Sequence, residues 1–96
     1  MRQGPAKTAR LRITGRVQGV GFRAWAMREA GRRGLRGWVR NRLDGSVEIL
    51  VSGTDADVAS MVEACRGGPF AAQVERVLAT EDDDDGSPGF SARPTG

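Results

Sequence analysis

The chain has 96 residues and a mass of 10.3 kDa, one small domain, which excludes a second catalytic domain, a doubly wound cofactor fold and a barrel. Hydrophobic residues make up 39% and charged residues 28%, enough apolar material for one core. The net charge of +3 hides a split: residues 1–42 carry 12 Arg or Lys and one acid, residues 43–96 carry 3 Arg and 11 acids.

Fourteen of the fifteen cations are Arg, whose planar fork suits phosphate and carboxylate oxygens, so a phosphorylated small molecule or a nucleic acid enters as a candidate partner. There is no His and no Tyr, and the only Cys is Cys65. His-dependent nucleophilic catalysis, an intrachain disulfide and a His- or Cys-rich zinc site are thereby excluded, and no metal site is expected. A lone thiol fits a reducing compartment, no apolar run approaches the roughly 18 residues of a membrane span, and the basic start is not followed by an apolar stretch. The expectation is a cytoplasmic chain with no membrane partner.

Residues 1–8, polar with Gly and Pro, read as a flexible arm ahead of a single domain over residues 9–96. Arg10 to Val17 alternates apolar and polar as a half-buried strand does, and a glycine-rich turn follows from Gly15 to Gly21. Phe22, Ala26 and Ala30 recur every four residues, with Met27 beside them, predicting a helix from Phe22 to about Arg33 that ends near Gly34. Leu35 to Leu43 and Val47 to Val51 flank Asp44-Gly45, a strong hairpin signal. Thr54, with Asp57 three residues on, is a capping-box variant, and Val58, Met61, Val62 and Cys65 mark one face of a second helix, stopped by Gly67-Gly68-Pro69. Ala72 to Thr80 reads as a strand in which Val74 and Val77 have opposite parity, so a bulge is expected. Acidic residues 81–85 follow, read as a solvated loop, and then a short strand from Phe90 to Arg93.

The order βαββαβ predicts an α+β, ferredoxin-like sandwich: an antiparallel sheet with two helices on one face and a possible fifth edge strand. Right-handed crossovers put the first strand beside the second hairpin strand at the sheet centre.

Chemistry concentrates in Gly15-Arg16-Val17-Gln18-Gly19-Val20-Gly21-Phe22-Arg23, which joins a strand to a helix. A helix N-terminus presents backbone N–H groups without internal partners and about half a positive charge. Glycines at 15, 19 and 21 let the chain curl so that successive N–H groups converge, and Arg23 in the first turn can add a two-pronged contact. The candidate phosphate-binding groups are therefore the N–H groups of Gln18, Gly19, Val20, Gly21 and Phe22, with the Arg23 side chain.

Other phosphate motifs fail on residues. No Lys-Ser or Lys-Thr pair follows a second Gly, as a Walker A loop requires. Gly19-Val20-Gly21-Phe22-Arg23-Ala24 fits a relaxed dinucleotide fingerprint, but its acidic partner Asp44 lies in a hairpin turn and the chain is too short for two mononucleotide halves. A Cys-based phosphatase places Arg six residues after its nucleophile, where this chain has Ala71; the helical spacing of Cys65 marks it as core.

GRVQGVGFR, followed after the helix by GLRGWVRNRLDGSVE over residues 34–48, resembles the acylphosphatases, with their GxVQGVxFR loop and GLxGWVxNxxDGxVE hairpin. Together with the helices these motifs cover about residues 9–93. The resemblance implies hydrolysis of the carboxyl-phosphate bond of an acyl phosphate to a carboxylate and inorganic phosphate, without a cofactor or metal. It also implies that Arg23 binds the phosphoryl group and that Asn41 orients the attacking water. Asn41 shares the parity of Gly37 and Val39 and so points to the apolar side of its strand, where a polar side chain needs a reason. Its carbonyl oxygen can orient water, but a carboxamide cannot act as a base.

A related domain opens the large hydrogenase-maturation carbamoyltransferases, where the loop Arg is commonly followed by Pro; here Ala24 follows Arg23, which favours a free-standing hydrolase, and a monomer is expected. The alternative reading is a ferredoxin-like RNA-binding module drawing on the Arg-rich half. Such modules stack bases on aromatics of central strands, and neither Arg10 to Val17 nor Val47 to Val51 has one. No nucleic-acid partner is expected, and Trp38 reads as packing against arginine stems.

Overall fold

A computed structural model describes residues 6–96; of the expected arm, residues 1–5 lie outside the described residues. The elements are β1 (Ala6–Arg16), α1 (Phe22–Arg32), β2 (Arg36–Asn41), β3 (Val47–Thr54), α2 (Asp55–Gly67), β4 (Gln73–Glu81) and β5 (Phe90–Ala92). Ala6 to Thr8 thus belong to β1, where Ala6 pairs with Thr54 and Thr8 with Ser52, and not to an arm.

The sheet order is β4-β1-β3-β2-β5. β1 lies antiparallel to β3 at the centre, as the crossover rule requires, and β4 and β2 are antiparallel to their neighbours. The fifth strand departs from an all-antiparallel sheet: β5 pairs parallel to β2, Gly37 with Phe90 and Val39 with Ala92. The loop from Asp82 to Gly89 carries the chain across the sheet before β5 forms, so it arrives running the same way as β2.

In β1, β2 and β3 the odd-numbered residues face the helices. Leu11, Ile13, Val39, Val47, Ile49 and Val51 pack with Phe22, Ala26 and Ala30 of α1 and Val58, Met61 and Cys65 of α2 in one core. Burial pushes the Cys65 thiol up to about 12, which suits its packing role. Helix α1 ends where Gly34 takes φ +64°, with Leu35 N–H donating to Ala30 O and Gly34 N–H to Gly31 O, a Schellman-type stop. Helix α2 starts as its sequence indicates: Thr54 Oγ1 accepts from Asp57 N–H at 3.1 Å.

The parity conflict in β4 is a bulge. Thr14 pairs with Arg76 but Gly15 with Val74, leaving Glu75 as the extra residue and letting both Val74 and Val77 reach the core. Gly15, at φ +119°, serves this close approach; a Cβ there would lie 2.3 Å from Gln73 O. It is therefore a strand glycine, and the curl of the following loop comes from Gly19 and Gly21 alone.

Candidate active site

Val17 is buried, Val20 packs against the core and Phe22 is 2% exposed, so the apolar side chains of the loop point inward and hold its underside. Phe22 also meets Trp25 edge to face, with ring centroids 5.2 Å apart. Between these anchors Gly19 (φ +73°) and Gly21 (φ +79°) take left-handed conformations, and Gly21 is the N-cap of α1. Trp25 N–H donates to Gly21 O at 3.0 Å. Among the described residues no backbone carbonyl accepts from the N–H groups of Gln18, Gly19, Val20, Gly21 or Phe22. The loop is held by its side chains and leaves its backbone donors free.

A cleft of about 370 Å³ opens over this loop, lined by Gln18, Gly19, Gly21, Arg23, Asn41 and Ala92 among others. The structure therefore brings together Arg23 from the first turn of α1 and Asn41 from the last residue of β2. Asn41 is half-buried on the helix side of its strand, as its parity indicates. Its backbone is held on both edges: it pairs with Val47 of β3, and its carbonyl accepts from Gly96 N–H at 3.0 Å.

Most cations of the first half are already committed. Lys7, Arg10, Arg12, Arg32, Arg33, Arg36, Arg40 and Arg42 all pair with carboxylates. Among the described residues Arg16, Arg23 and Arg28 pair with none, and of these only Arg23 lines the cleft. An exposed, unpaired guanidinium beside free N–H groups has the chemistry to hold a dianion. A larger cleft of about 620 Å³ lies at the opposite end of the strands, where Lys7, Arg33 and Arg36 alternate with Asp57, Asp82, Asp83 and Asp84. Its charges offset one another.

The sheet face away from the helices was the least legible part. Glu48 is 3% exposed at its centre and accepts hydrogen bonds from Arg10, Arg40 and Arg42. Burial by itself would raise its carboxyl, but the three guanidiniums outweigh that and hold it at about 2. The acidic segment is exposed, as expected of a solvated loop, but Asp82, Asp84 and Asp85 fold back onto this basic face. Asp82 pairs with Arg10, Asp84 with Arg36, and Asp85 accepts from the Trp38 indole and lies 3.6 Å from Arg93. Trp38 packs against arginines as expected: the guanidiniums of Arg93, Arg40 and Arg10 lie 4.7, 5.4 and 5.7 Å from the ring.

The acylphosphatase family model matches residues 9–92. The chain belongs to the acylphosphatase family. An acylphosphatase of Rhodospirillum rubrum is 48% identical over 89 residues, 93% of this chain and 98% of that protein. One of Nitrobacter hamburgensis is 65% identical over 65 residues, covering 68% of this chain and 66% of its own. The crystal structure of the acylphosphatase of Bacillus subtilis superimposes with a TM-score of 0.87 at 41% identity, covering 93% of this chain and 99% of that one. As an acylphosphatase-family fold, the sheet supports the loop at one end of β1 and Asn41 at the matching end of β2, with β3 between them.

Proposed function

We propose that this chain hydrolyses the carboxyl-phosphate bond of small acyl phosphates in the cleft between Asn41 and the loop of residues 17–21 with the first turn of α1. Membership of the acylphosphatase family supports the reaction, and one observation supports the site: Arg23, unpaired, shares a cleft with free loop N–H groups and Asn41. The N–H groups of Gln18 to Phe22 and the guanidinium of Arg23 bind the phosphoryl oxygens. They carry the charge that develops there, which is most of what phosphoryl transfer asks of a protein. The Asn41 carboxamide orients a water in line with the bond to the acyl oxygen.

The water oxygen bonds to phosphorus, the phosphorus–oxygen bond to the acyl group breaks, and the carboxylate leaves with the electron pair. Asn41 cannot take the water proton, which passes to a phosphoryl oxygen of the substrate. A carboxylate leaving group needs no protonation near neutral pH, so the chemistry reduces to positioning and charge stabilisation and calls for no metal or cofactor. Every group lies in one chain, so a monomer suffices.

The test is release of benzoate and phosphate from benzoyl phosphate, with and without a chelator and added inorganic phosphate. The expected result is chelator-insensitive turnover, competitively inhibited by phosphate, with no enzyme carboxylate in the pH–rate profile of kcat. Absence of turnover, or loss of turnover on chelation, contradicts the proposal.

A further inference from the structure

We propose that the side chain of Gln18 is a positioning residue that sets Asn41 against the phosphate loop, an inference that rests on the roles just proposed for that loop and for Asn41. The need arises from the sheet. β1, which feeds the loop, and β2, which ends in Asn41, are not neighbours: β3 lies between them. No ladder of backbone bonds joins the two halves of the site directly.

Gln18 spans that gap. Its Nε2 donates to Arg42 O at 2.8 Å and to Ser46 O at 2.9 Å. These two carbonyls also close the hairpin, since Arg42 N–H donates to Ser46 O at 2.8 Å and Gly45 N–H to Arg42 O at 3.1 Å. Each carbonyl thus uses one lone pair within the hairpin and the other for Gln18. A carboxamide nitrogen, with two N–H donors on one atom, satisfies both; a carboxylate or a thioether of similar shape satisfies neither. Among the described residues these are the only side-chain hydrogen bonds joining residues 17–21 to residues 41–47.

The near end of this link is held as well. Gln18 sits between Val17, which is buried, and Gly19, whose left-handed turn starts the curl of the loop. The far end is one residue from Asn41. A shift of the hairpin end therefore moves Asn41 relative to the bound phosphoryl group while leaving the loop N–H groups and Arg23 in place. A displacement of about 1 Å in a positioning group can cost about a hundredfold in rate.

The test compares wild type, Gln18→Met, Gln18→Glu and Asn41→Ala for benzoyl phosphate turnover and for inhibition by inorganic phosphate. Folding is checked by circular dichroism. Gln18→Met is expected to lose about tenfold to a hundredfold in kcat while the phosphate inhibition constant stays within about twofold, and Gln18→Glu, whose carboxylate lines the cleft, is expected to lose kcat and to weaken phosphate binding as well. In nitrogen-15 spectra the Asn41 side-chain amide should lose its phosphate-induced shift in Gln18→Met, a signature that general weakening of the fold does not produce. Should Gln18→Met fail to fold, the wild-type Gln18 amide protons carry the test through contacts to Arg42 and Ser46 and slowed exchange; freely exchanging protons overturn the proposal. Wild-type kcat in Gln18→Met, or weaker phosphate binding at unchanged kcat, overturns it while an inactive Asn41→Ala leaves the role of Asn41 standing. A fully active Asn41→Ala overturns both.

Discussion

The indole N–H of Trp38 donates to Oδ2 of Asp85 at 3.0 Å, across 47 positions of sequence. This bond, with the pairs Asp82–Arg10 and Asp84–Arg36, straps the acidic segment over the face of the sheet opposite the helices. The strap has no apolar anchor of its own between Asp82 and Gly86, so charge and hydrogen bonds hold it. Hydrogen bonds from Ser87, then Trp38, and the nearby Arg93 hold the Asp85 carboxyl at about 2, and Asp82 and Asp84 are likewise lowered, chiefly by Arg10 and Arg36. Depressed carboxylates contribute stability above their unfolded values, near 3.8, and lose it as pH falls through their folded values. The strap is therefore expected to detach as pH drops from about 4 toward 2, and on replacing Asp82, Asp84 and Asp85 by Asn. In a Trp25→Phe background, Trp38 emission should shift to the red and acrylamide quenching should rise; unchanged emission in the triple variant would show that the strap does not cover the ring.

Glu48 carries a larger pH effect because it is buried. Its carboxyl, 4.5 in the unfolded reference and about 2 in the fold, stabilises fully above pH 4.5 and loses that contribution as pH falls toward 2. The shift corresponds to roughly 3–4 kcal/mol. Glu48→Gln, which leaves three guanidiniums around a neutral amide, should lose about that much at pH 7. Its urea midpoint should then vary less than that of wild type between pH 5 and pH 2.

Arg23→Ala should lower kcat/KM for benzoyl phosphate by ~10³-fold or more, since an Arg clamp on a transferring phosphoryl group is worth that much. Arg23→Lys keeps the charge without the fork and should fall between. Because Arg23 is exposed and unpaired, the unfolding free energy of either variant in urea should stay within about 0.5 kcal/mol of wild type. A large loss of stability would mean that the side chain holds the fold instead.

Two glycines separate space from backbone conformation. Gly37 has φ +136°, and a Cβ there would lie 1.8 Å from Leu50 O, inside the β2–β3 pairing. Gly19 has φ +73° with nothing within 4 Å of a Cβ. Gly37→Ala should cost more than about 4 kcal/mol and lose the native circular dichroism spectrum. Gly19→Ala should fold, at a cost of about 1–2 kcal/mol for a left-handed alanine. Equal effects of the two would contradict the close approach at Gly37.

What the chain reveals of itself in one dimension is whatever a few consecutive residues decide. The Phe22, Ala26, Ala30 spacing, the Thr54 cap, the Asp44-Gly45 turn and the opposed parity of Val74 and Val77 all work within a turn or a strand, and each appears in the fold as read. The parity of Asn41 is also local, because side chains alternate along a strand. The glycine-rich loop at the start of α1, the candidate phosphate site, was legible because glycine spacing and a helix start are features of adjacent residues.

Tertiary structure alone decided the rest. That β5 runs parallel to β2, that β1 begins at Ala6, that Glu48 is buried among Arg10, Arg40 and Arg42, and that Gln18 reaches Arg42 and Ser46 depend on contacts between segments far apart in sequence. The charge split of the sequence belongs to the same class. It gives each half an excess of one sign, but only the three-dimensional path of the chain lays Asp82 on Arg10 and Asp84 on Arg36, because no local period specifies which carboxylate meets which guanidinium.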